Sequence, residues 1–375
     1  MTVVYASNPM RLPFYARMLD SPFDNLGLPL EFPIEIDVDH KLGTMRQVPS
    51  HELEKALERA YNIGSVITGQ MTNWGIGKAY TSDFLTFILD LFRDTGITGQ
   101  RVLEIGCGTG YLLSQLKRLG ASVLGIEPGY DAFDGREMAI PVISDFFPSP
   151  AVTEHFDLIV LYGVLEHMVD PVAFLTLVSK YLVPTGRVVV SVPDCKRAIQ
   201  QGDISILVHE HFSFFTESTL HNLLCRVHFR PDAVLASAFG GAIYAGCSIG
   251  ESTQMIATKT PDLDAFFRQA NALCAKIRTL LLRCDRLGIY VPARMINYLY
   301  LLWDQDLARK LVLIDDNPLC AGRYFPGIPI PCQPFNRARD TDLDGILIAS
   351  SSFGKGIEKK IRESMSIPVW HLVDL

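Results

Sequence analysis

The sequence has no pair of cysteines spaced as C-x-x-C, although eight cysteines lie between Cys107 and Cys332. Pairs with that spacing are typical of zinc knuckles, and regularly spaced cysteines in short secreted chains form disulfide frameworks. The scattered cysteines of this chain fit neither pattern. We therefore expect reduced thiols and a cytoplasmic protein.

The sequence also lacks a basic excess and any long apolar run. Its 34 Lys and Arg against 41 Asp and Glu give a net charge of -7, which argues against a nucleic-acid partner because phosphates would not be neutralised. No apolar run reaches the roughly 18 residues of a membrane-spanning helix, and residues 1–5 do not begin a signal peptide. With 375 residues, 48% of them hydrophobic, we expect a soluble globular enzyme of two or three domains.

The most informative stretch is a glycine-rich segment after a short apolar run. Residues 102–105 read as a buried strand, three alternate glycines follow (Gly106, Gly108 and Gly110), and a helical pattern begins after them. A turn without side chains lets a ligand lie against the backbone, and the amides at the start of a helix point at that ligand. The segment therefore predicts a strand–turn–helix binding site.

Two carboxylates accompany this turn. Glu104 stands directly before it, and Glu127 ends the next apolar run. A carboxylate at that position can accept hydrogen bonds from both hydroxyls of a ribose. This arrangement resembles the S-adenosylmethionine (SAM) site of class I methyltransferases. The resemblance implies SAM as the cofactor, places Asp145 near the adenine amino group, and puts Tyr162 in the same site. There are two alternatives for the glycine segment: a nicotinamide site, whose glycines are more often spaced G-x-G-x-x-G, and a purely structural turn. The alternative for Asp145 is a place in a solvated turn.

Apolar strands and helices alternate along most of the chain, which predicts parallel α/β sheets. Strands are expected at 102–105, 123–126, 141–145, 156–163 and 185–192, with helices that begin at Ser50, at Thr81-Ser82 and at Pro171. The segments 233–236 and 241–248 would add a closing antiparallel hairpin to this Rossmann-like, doubly wound methyltransferase sheet. A linker helix from Asp262 to about Leu287 precedes a smaller Rossmann-like α/β domain, with strands at 288–291, 310–316, 325–330, 345–349 and 369–373.

These elements indicate three domains. Residues 1–62 would form an N-terminal cap made of a degenerate ribbon-like segment and a helix. Residues 63–260 would form the methyltransferase domain, and residues 261–375 the linker helix and the C-terminal Rossmann-like domain.

Two histidine-containing segments carry the candidate chemistry. Glu166-His167 follows the fourth strand, at the carboxyl edge of the sheet where ligands bind. The second segment, His209-Glu210-His211, precedes an aromatic patch. A capped loop and a hydrogen-bonded turn are the structural alternatives. His209 and His211 have the spacing of a metal-ligand pair on a strand, but no obvious companion ligand, so we expect no metal.

The order of these motifs, from Tyr61 through both histidine segments to Asp315-Asp-Asn-Pro318, resembles the nucleotide-sugar C-methyltransferases of bacterial deoxysugar pathways. Those proteins have an N-terminal zinc ribbon, a central methyltransferase domain and a C-terminal Rossmann-like domain. The resemblance implies C-methylation of a keto nucleotide-sugar, with His211 as the base. It also implies that His167 and Glu210 line the sugar site and that Tyr61 reaches the substrate.

Three positions depart from that family. No cysteine precedes Cys107, so residues 32–48 look like a ribbon without its zinc ligands. Val208 stands where a tyrosine is usual, and Pro292, which has no amide hydrogen, interrupts the expected glycine-rich turn. The departures leave two alternatives open: an O- or N-methyltransferase of another small molecule, and a SAM-binding protein with weak or lost catalysis.

Overall fold

A computed structural model describes residues 6–64, 75–129, 139–250 and 255–375. Their contacts form two compact units. The central unit comprises Val38–Lys196 and Glu210–Thr260, and the terminal unit comprises Met1–Asp37, Arg197–His209 and Pro261–Leu375. Residues up to 37, which the sequence assigns to an N-terminal cap, thus group with the C-terminal part of the chain.

Strands and helices are numbered in chain order. The strands are β1 (Met10–Pro13), β2 (Glu31–Ile34), β3 (Ile36–Asp39), β4 (Thr44–Gln47), β5 (Arg101–Ile105), β6 (Ser122–Ile126), β7 (Val142–Ile143), β8 (Phe156–Tyr162), β9 (Leu182–Pro193), β10 (Ser213–Phe214), β11 (Phe229–Ala236), β12 (Ala242–Ile249), β13 (Leu287–Tyr290), β14 (Leu311–Ile314), β15 (Cys332–Gln333), β16 (Gly345–Ile348) and β17 (Val369–His371). The helices are α1 (His51–Asn62), α2 (Gly75–Leu91), α3 (Tyr111–Arg118), α4 (Pro171–Ser179), α5 (Lys196–Gln201), α6 (Glu217–Arg226), α7 (Leu263–Arg283), α8 (Ile296–Leu302), α9 (Gln305–Lys310), α10 (Phe335–Ala338) and α11 (Gly354–Arg362).

The central unit is built on a seven-stranded sheet in the order β11-β12-β9-β8-β5-β6-β7. The pairings among β7, β6, β5, β8 and β9 are parallel, whereas β12 pairs antiparallel with both β9 and β11. The predicted doubly wound sheet with its closing hairpin is therefore confirmed.

Both faces of this sheet are buried, as is usual for parallel strands. Along β8, Leu158 and Val160 pack into a cluster with residues of α2 and α3. The alternate residues Ile159 and Leu161 pack on the other face, with residues of α4 and α6. The near-continuous apolar runs in the sequence come from this two-sided burial.

The first helices only partly match the sequence-based prediction. The side chain of Ser50 caps α1 by accepting a hydrogen bond from the Leu53 amide, as predicted. The predicted start of α2 at Thr81-Ser82 is wrong, because α2 begins at Gly75. The hydroxyls of Thr81 and Ser82 donate to carbonyls one turn earlier in the helix, so they do not cap its start.

The terminal unit contains a parallel five-stranded sheet in the order β15-β14-β13-β16-β17. This confirms the predicted second α/β sheet, but the predicted strand at 325–330 is wrong. Pro326 and Pro329 have no amide to donate, and Gly327 has a φ of 72° in a tight turn, so only a single bridge joins Phe325 to Ile328. The strand that completes the five-stranded sheet is β15, which follows this segment in the chain. Within the described residues, no helix is long and apolar enough to cross a membrane.

Candidate functional site

The candidate site lies at the carboxyl edge of the central sheet. From β5, the chain first adds β6 and β7 on one side and then β8 on the other, so the strand order reverses between β5 and β8. Ligands of open α/β sheets bind in the crevice outside such a reversal. The segments after β5, β6, β7 and β8 contain most of the predicted site residues.

The three glycines form a tight turn between β5 and α3. Their φ angles are 70° at Gly106, 51° at Gly108 and 75° at Gly110, values that residues with a Cβ adopt only at a cost. A Cβ on Gly106 would lie 2.6 Å from Val164, and one on Gly110 would lie 2.0 Å from Ile140. A Cβ on Gly108 would meet no described atom within 4 Å, so none of the described residues blocks the backbone at this position.

Glu127, directly after β6, holds this turn in place. One carboxylate oxygen accepts a hydrogen bond from the Gly108 amide at 3.1 Å, and the other accepts one from the Gly129 amide at 3.0 Å. Burial raises the pKa of Glu127, although the two amide hydrogen bonds lower it in part. Each carboxylate oxygen has a second lone pair and can still accept a ligand hydroxyl.

Glu104, the last residue but one of β5, is 2% exposed. Burial raises the pKa of Glu104 well above its usual value, the nearby charge of Glu127 adds to this, and a hydrogen bond from the Leu113 amide opposes it. Its Oε2 has no hydrogen-bond partner within the described parts of the chain.

Asp145 and Tyr162 also follow or end strands at this edge. Asp145 comes two residues after β7 and is exposed, with its carboxylate accepting the Phe146 amide at 2.8 Å. Tyr162 ends β8, and its ring packs against Phe84 with the centroids 5.4 Å apart. Burial raises the pKa of Tyr162, which keeps its hydroxyl protonated. Their predicted roles toward the cofactor stay predictions.

Backbone hydrogen bonds bring the two histidine segments together. A short 3-10 turn after β8 contains Glu166 and His167. The Phe212 amide donates to the Glu166 carbonyl at 2.7 Å, which fixes the neighbouring His211 beside this turn. The Phe212 carbonyl accepts from the Gln47 amide in β4, so a second sheet supports the segment.

Five side chains meet at this point. The rings of His167 and His211 are edge to face, with centroids 5.0 Å apart. The hydroxyl of Tyr61 is 3.1 Å from Nδ1 of His167. The same Nδ1 is 3.8 Å from Oε2 of Glu210, and Nε2 of His167 is 3.9 Å from Oε1 of Glu166. We call these residues the histidine cluster.

Burial controls the protonation of the cluster. It lowers the pKa of His167 to about 4, and burial together with His167 lowers the pKa of His211 well below its usual value. Burial, with a contribution from Glu210, raises the pKa of Glu166 to about 8. Burial and the neighbouring glutamates raise the pKa of Tyr61. Both imidazoles are therefore neutral near pH 7.

The structure places His209 apart from these roles. It belongs to the terminal unit, where its Nε2–H donates to the Phe32 carbonyl at 2.9 Å and its ring packs against Phe14. The sequence places Glu166 beside His167 but predicts no role for it, whereas in the structure its side chain is 1% exposed and part of the cluster. Only its position next to His167 signals this in the sequence.

Comparison with known proteins identifies the central fold more closely. Residues 77–234 match the sequence model of a family described as a methyltransferase domain. The ubiquinone biosynthesis O-methyltransferase of Bradyrhizobium diazoefficiens is 37% identical over 100 residues, which are 25% of this chain and 40% of that protein. The protein of the same name from Rhodopseudomonas palustris is 34% identical over 102 residues, with the same coverage. The chain thus spans about two fifths of the length of these relatives.

Solved structures resemble slightly more than half of the chain. The N-methyltransferase NodS of Bradyrhizobium japonicum, in complex with S-adenosyl-L-homocysteine, is 15% identical with a TM-score of 0.40, over 53% of this chain and 99% of that one. The 1,6-didemethyltoxoflavin-N1-methyltransferase of Burkholderia thailandensis is 17% identical with a TM-score of 0.39, over 57% of this chain and 98% of that one. The family match and the glycine turn after β5 confirm the predicted class: residues 77–234 are a class I, SAM-dependent methyltransferase domain.

Proposed function

We propose that this protein transfers the methyl group of SAM to a carbon atom of a small keto compound, a keto nucleotide-sugar or a related sugar intermediate. The observation that carries the proposal is the buried, neutral His211 beside His167, at the same sheet edge as the glycine turn. A neutral imidazole next to a methyl donor is suited to remove a proton from the acceptor.

The donor would lie along the glycine turn. No residue in the described part of the chain blocks the backbone at Gly108, and both oxygens of Glu127 keep a lone pair for the ribose hydroxyls. We assign the adenosine contacts to Glu127, Asp145 and Tyr162, which end or follow neighbouring strands. Glu104, buried behind the turn, would fix the shape of the turn through the Leu113 amide.

The acceptor would lie against the histidine cluster. A carbonyl next to the target carbon makes its C–H acidic, and Nε2 of His211 has no hydrogen-bond partner among the described residues. In our proposal this nitrogen takes the proton and leaves an enolate. The electron pair of the enolate then forms the bond to the methyl carbon, the C–S bond breaks, and S-adenosylhomocysteine leaves. His167, Glu210 and Tyr61 would hold the acceptor in line with the sulfonium, which is the main source of the rate enhancement.

The identity of the methylated atom tests the proposal. The full chain would be incubated with SAM carrying a ¹³C-methyl group and a panel of keto nucleotide-sugars in D₂O, and the products examined by NMR. We expect a methyl group bound to carbon, and exchange of the acidic C–H for deuterium that depends on His211. A methyl group on oxygen or nitrogen would overturn the proposal.

O-methylation of another small molecule is the second candidate, because the relatives with 34–37% identity are ubiquinone biosynthesis O-methyltransferases. The same neutral histidine pair would then remove a proton from a hydroxyl. The two candidates differ in one observable: an O-methyltransferase would accept phenols or catechols, and it would not exchange a carbon-bound hydrogen of a ketone.

A further inference from the structure

We propose that Glu166, His167 and His211 form a binding site for a divalent metal ion of the zinc class, and that this ion switches off the base. The metal site itself rests on geometry. Only its effect on catalysis rests on the proposed function, in which His211 removes a proton.

Each of the three residues offers one ligand atom, and these atoms lie within 4.8 Å of one another. Zinc binds imidazole nitrogen and carboxylate oxygen at about 2.0–2.2 Å, and a site with three protein ligands keeps its fourth position open. Two ligand atoms bound to one ion are therefore about 3–4 Å apart. The 3.9 Å between Nε2 of His167 and Oε1 of Glu166 already lies in that range.

The separations within the cluster favour an ion over direct hydrogen bonds. Nε2 of His167 is too far from Glu166, at 3.9 Å, to donate a hydrogen bond to it. Oε2 of Glu166 and Nε2 of His211 are both buried, and neither has a hydrogen-bond partner in the parts of the chain that are described. Glu166 is 1% exposed and His211 is 4% exposed. A buried polar atom without a partner is costly. A cation would give Nε2 of His211 its partner, and it would bind the Glu166 carboxylate to which the unpartnered Oε2 belongs.

The contacts of the other ring nitrogen of His167 also fit a metal site. Histidines that bind a metal through one ring nitrogen usually donate the other N–H to a carboxylate or another acceptor. If Nε2 of His167 binds the ion, its Nδ1–H faces the hydroxyl of Tyr61 at 3.1 Å and Oε2 of Glu210 at 3.8 Å. Two imidazoles and one carboxylate suit zinc, cobalt or nickel, whereas magnesium and calcium prefer oxygen ligands.

Folding creates this ligand set. In the sequence, His209 has the spacing of a ligand companion for His211, but no obvious carboxylate accompanies the pair. The hydrogen bond from the Phe212 amide to the Glu166 carbonyl instead brings His211 to Glu166 and His167. The ligands therefore come from two segments more than 40 residues apart in the chain.

The metal and the proton would compete for one lone pair. Nε2 of His211 is the atom that takes the proton in the proposed reaction, and the same atom would bind the ion. Occupation by zinc would therefore inhibit methyl transfer, and a chelator would restore it.

Binding is tested with the full chain after treatment with EDTA. Co²⁺ is titrated into the wild type, Glu166→Gln, His211→Gln and the control His155→Gln, whose histidine is exposed and outside the cluster. We expect one Co²⁺ per chain in the wild type and the control, with the visible absorption of a four-coordinate ion that Zn²⁺ bleaches. Each cluster variant should bind at least about tenfold more weakly, a loss of about 1.4 kcal/mol. Equal binding by all four proteins, or no binding by the wild type, would overturn the site.

The regulatory part has its own readout. Methyl transfer by the wild type is measured with EDTA and with Zn²⁺ at saturation, as found from the cobalt competition. Inhibition by Zn²⁺ that EDTA reverses supports the switch, whereas activation by Zn²⁺ refutes it. Circular dichroism of Glu166→Gln and His211→Gln shows whether they fold. Because binding is measured without donor or acceptor, failure of the metal site leaves the proposed reaction standing, and failure of the reaction leaves the metal site standing.

Discussion

The ring of His167 meets the ring of His211 edge to face, with 5.0 Å between the centroids. His167 keeps 14% of its side chain exposed, whereas His211 is 4% exposed. Burial lowers the pKa of both, so both rings are neutral near pH 7. The two rings therefore differ in exposure although they are in direct contact.

This relationship gives a prediction for His211→Asn. General-base catalysis contributes about 10²–10⁴-fold to a rate, so we expect kcat to fall by that factor while the affinity for SAM is unchanged. Asparagine keeps a polar side chain at this position and leaves a smaller cavity than alanine would. Rates and SAM binding are measured together with His155→Asn, an exposed histidine that should keep wild-type values. If His211→Asn retained kcat while His167→Asn lost it, the base would be His167.

Gly108→Ala should weaken SAM binding far more than it weakens the fold. Its φ of 51° makes the alanine cost about 1–2 kcal/mol, but the added Cβ points into the open space that we assign to the donor. We expect at least about a tenfold higher Kd for SAM by calorimetry.

Gly96→Ala is the matched control for this substitution. Gly96 has a φ of 73° and also has no described atom within 4 Å of an added Cβ, yet it lies outside the site. It should lower the melting temperature similarly and leave the Kd for SAM unchanged. Equal loss of SAM binding in both variants would contradict the position of the donor.

The affinity for SAM should depend on pH through Glu127. Burial raises the pKa of this carboxyl above its usual value. Ribose hydroxyls bind the ionised form better, so binding of SAM lowers that pKa and releases a proton. Affinity should therefore fall as the pH is lowered through the raised pKa, and Glu127→Gln should bind more weakly with a flat profile. Calorimetry between about pH 8 and about pH 5 measures it, and a wild-type profile as flat as that of the variant would contradict the assignment.

The central fold was predictable because its signals are local. The apolar runs of β5, β6, β8 and β9 are buried on both faces of the sheet, and such burial leaves a plain pattern in the sequence. The predicted strand at 325–330 failed because its two prolines remove amide donors. The start of α2 was misplaced since hydroxyl residues that cap helices also occur inside them, where they bond to the preceding turn.

The site was less predictable than the fold. The glycine turn and Glu127 lie 17 to 21 residues apart in the chain, within one strand–helix–strand unit whose geometry is standard. The contact of Tyr61 with His167 joins residues 106 positions apart, and no periodicity encodes such a distance. The resemblance to a family points to both residues, but only the fold shows that Glu166 is buried beside His167.

A stability prediction concerns the contact between β6 and the glycine turn. An added Cβ on Gly125 would lie 2.6 Å from Sγ of Cys107 and 3.1 Å from both Leu113 and Val142. Overpacking of this kind costs about 1–3 kcal/mol, so Gly125→Ala should lower the free energy of unfolding in urea by that amount. Adding Cys107→Ala should restore part of it, because the tightest contact is removed. If the double variant were no more stable than Gly125→Ala, the clash with Cys107 would not be the cause.

A pH-dependent contribution to stability is expected from Asp316, which follows β14 in the terminal unit. Partial burial raises the pKa of Asp316, but hydrogen bonds from Lys360 and Tyr290 outweigh it and leave the pKa below its usual value. A carboxyl with a lowered folded-state pKa stabilises the fold above its unfolded pKa of about 3.9 and loses that contribution as the pH falls through the folded pKa. Asp316→Asn should therefore melt below the wild type at neutral pH, and the difference should shrink in acid. The control is Asp306→Asn. The side chain of Asp306 is 88% exposed, so this variant should melt like the wild type at every pH. If the difference in melting temperature between Asp316→Asn and the wild type stayed constant with pH, the charge of Asp316 would not be the cause of that difference.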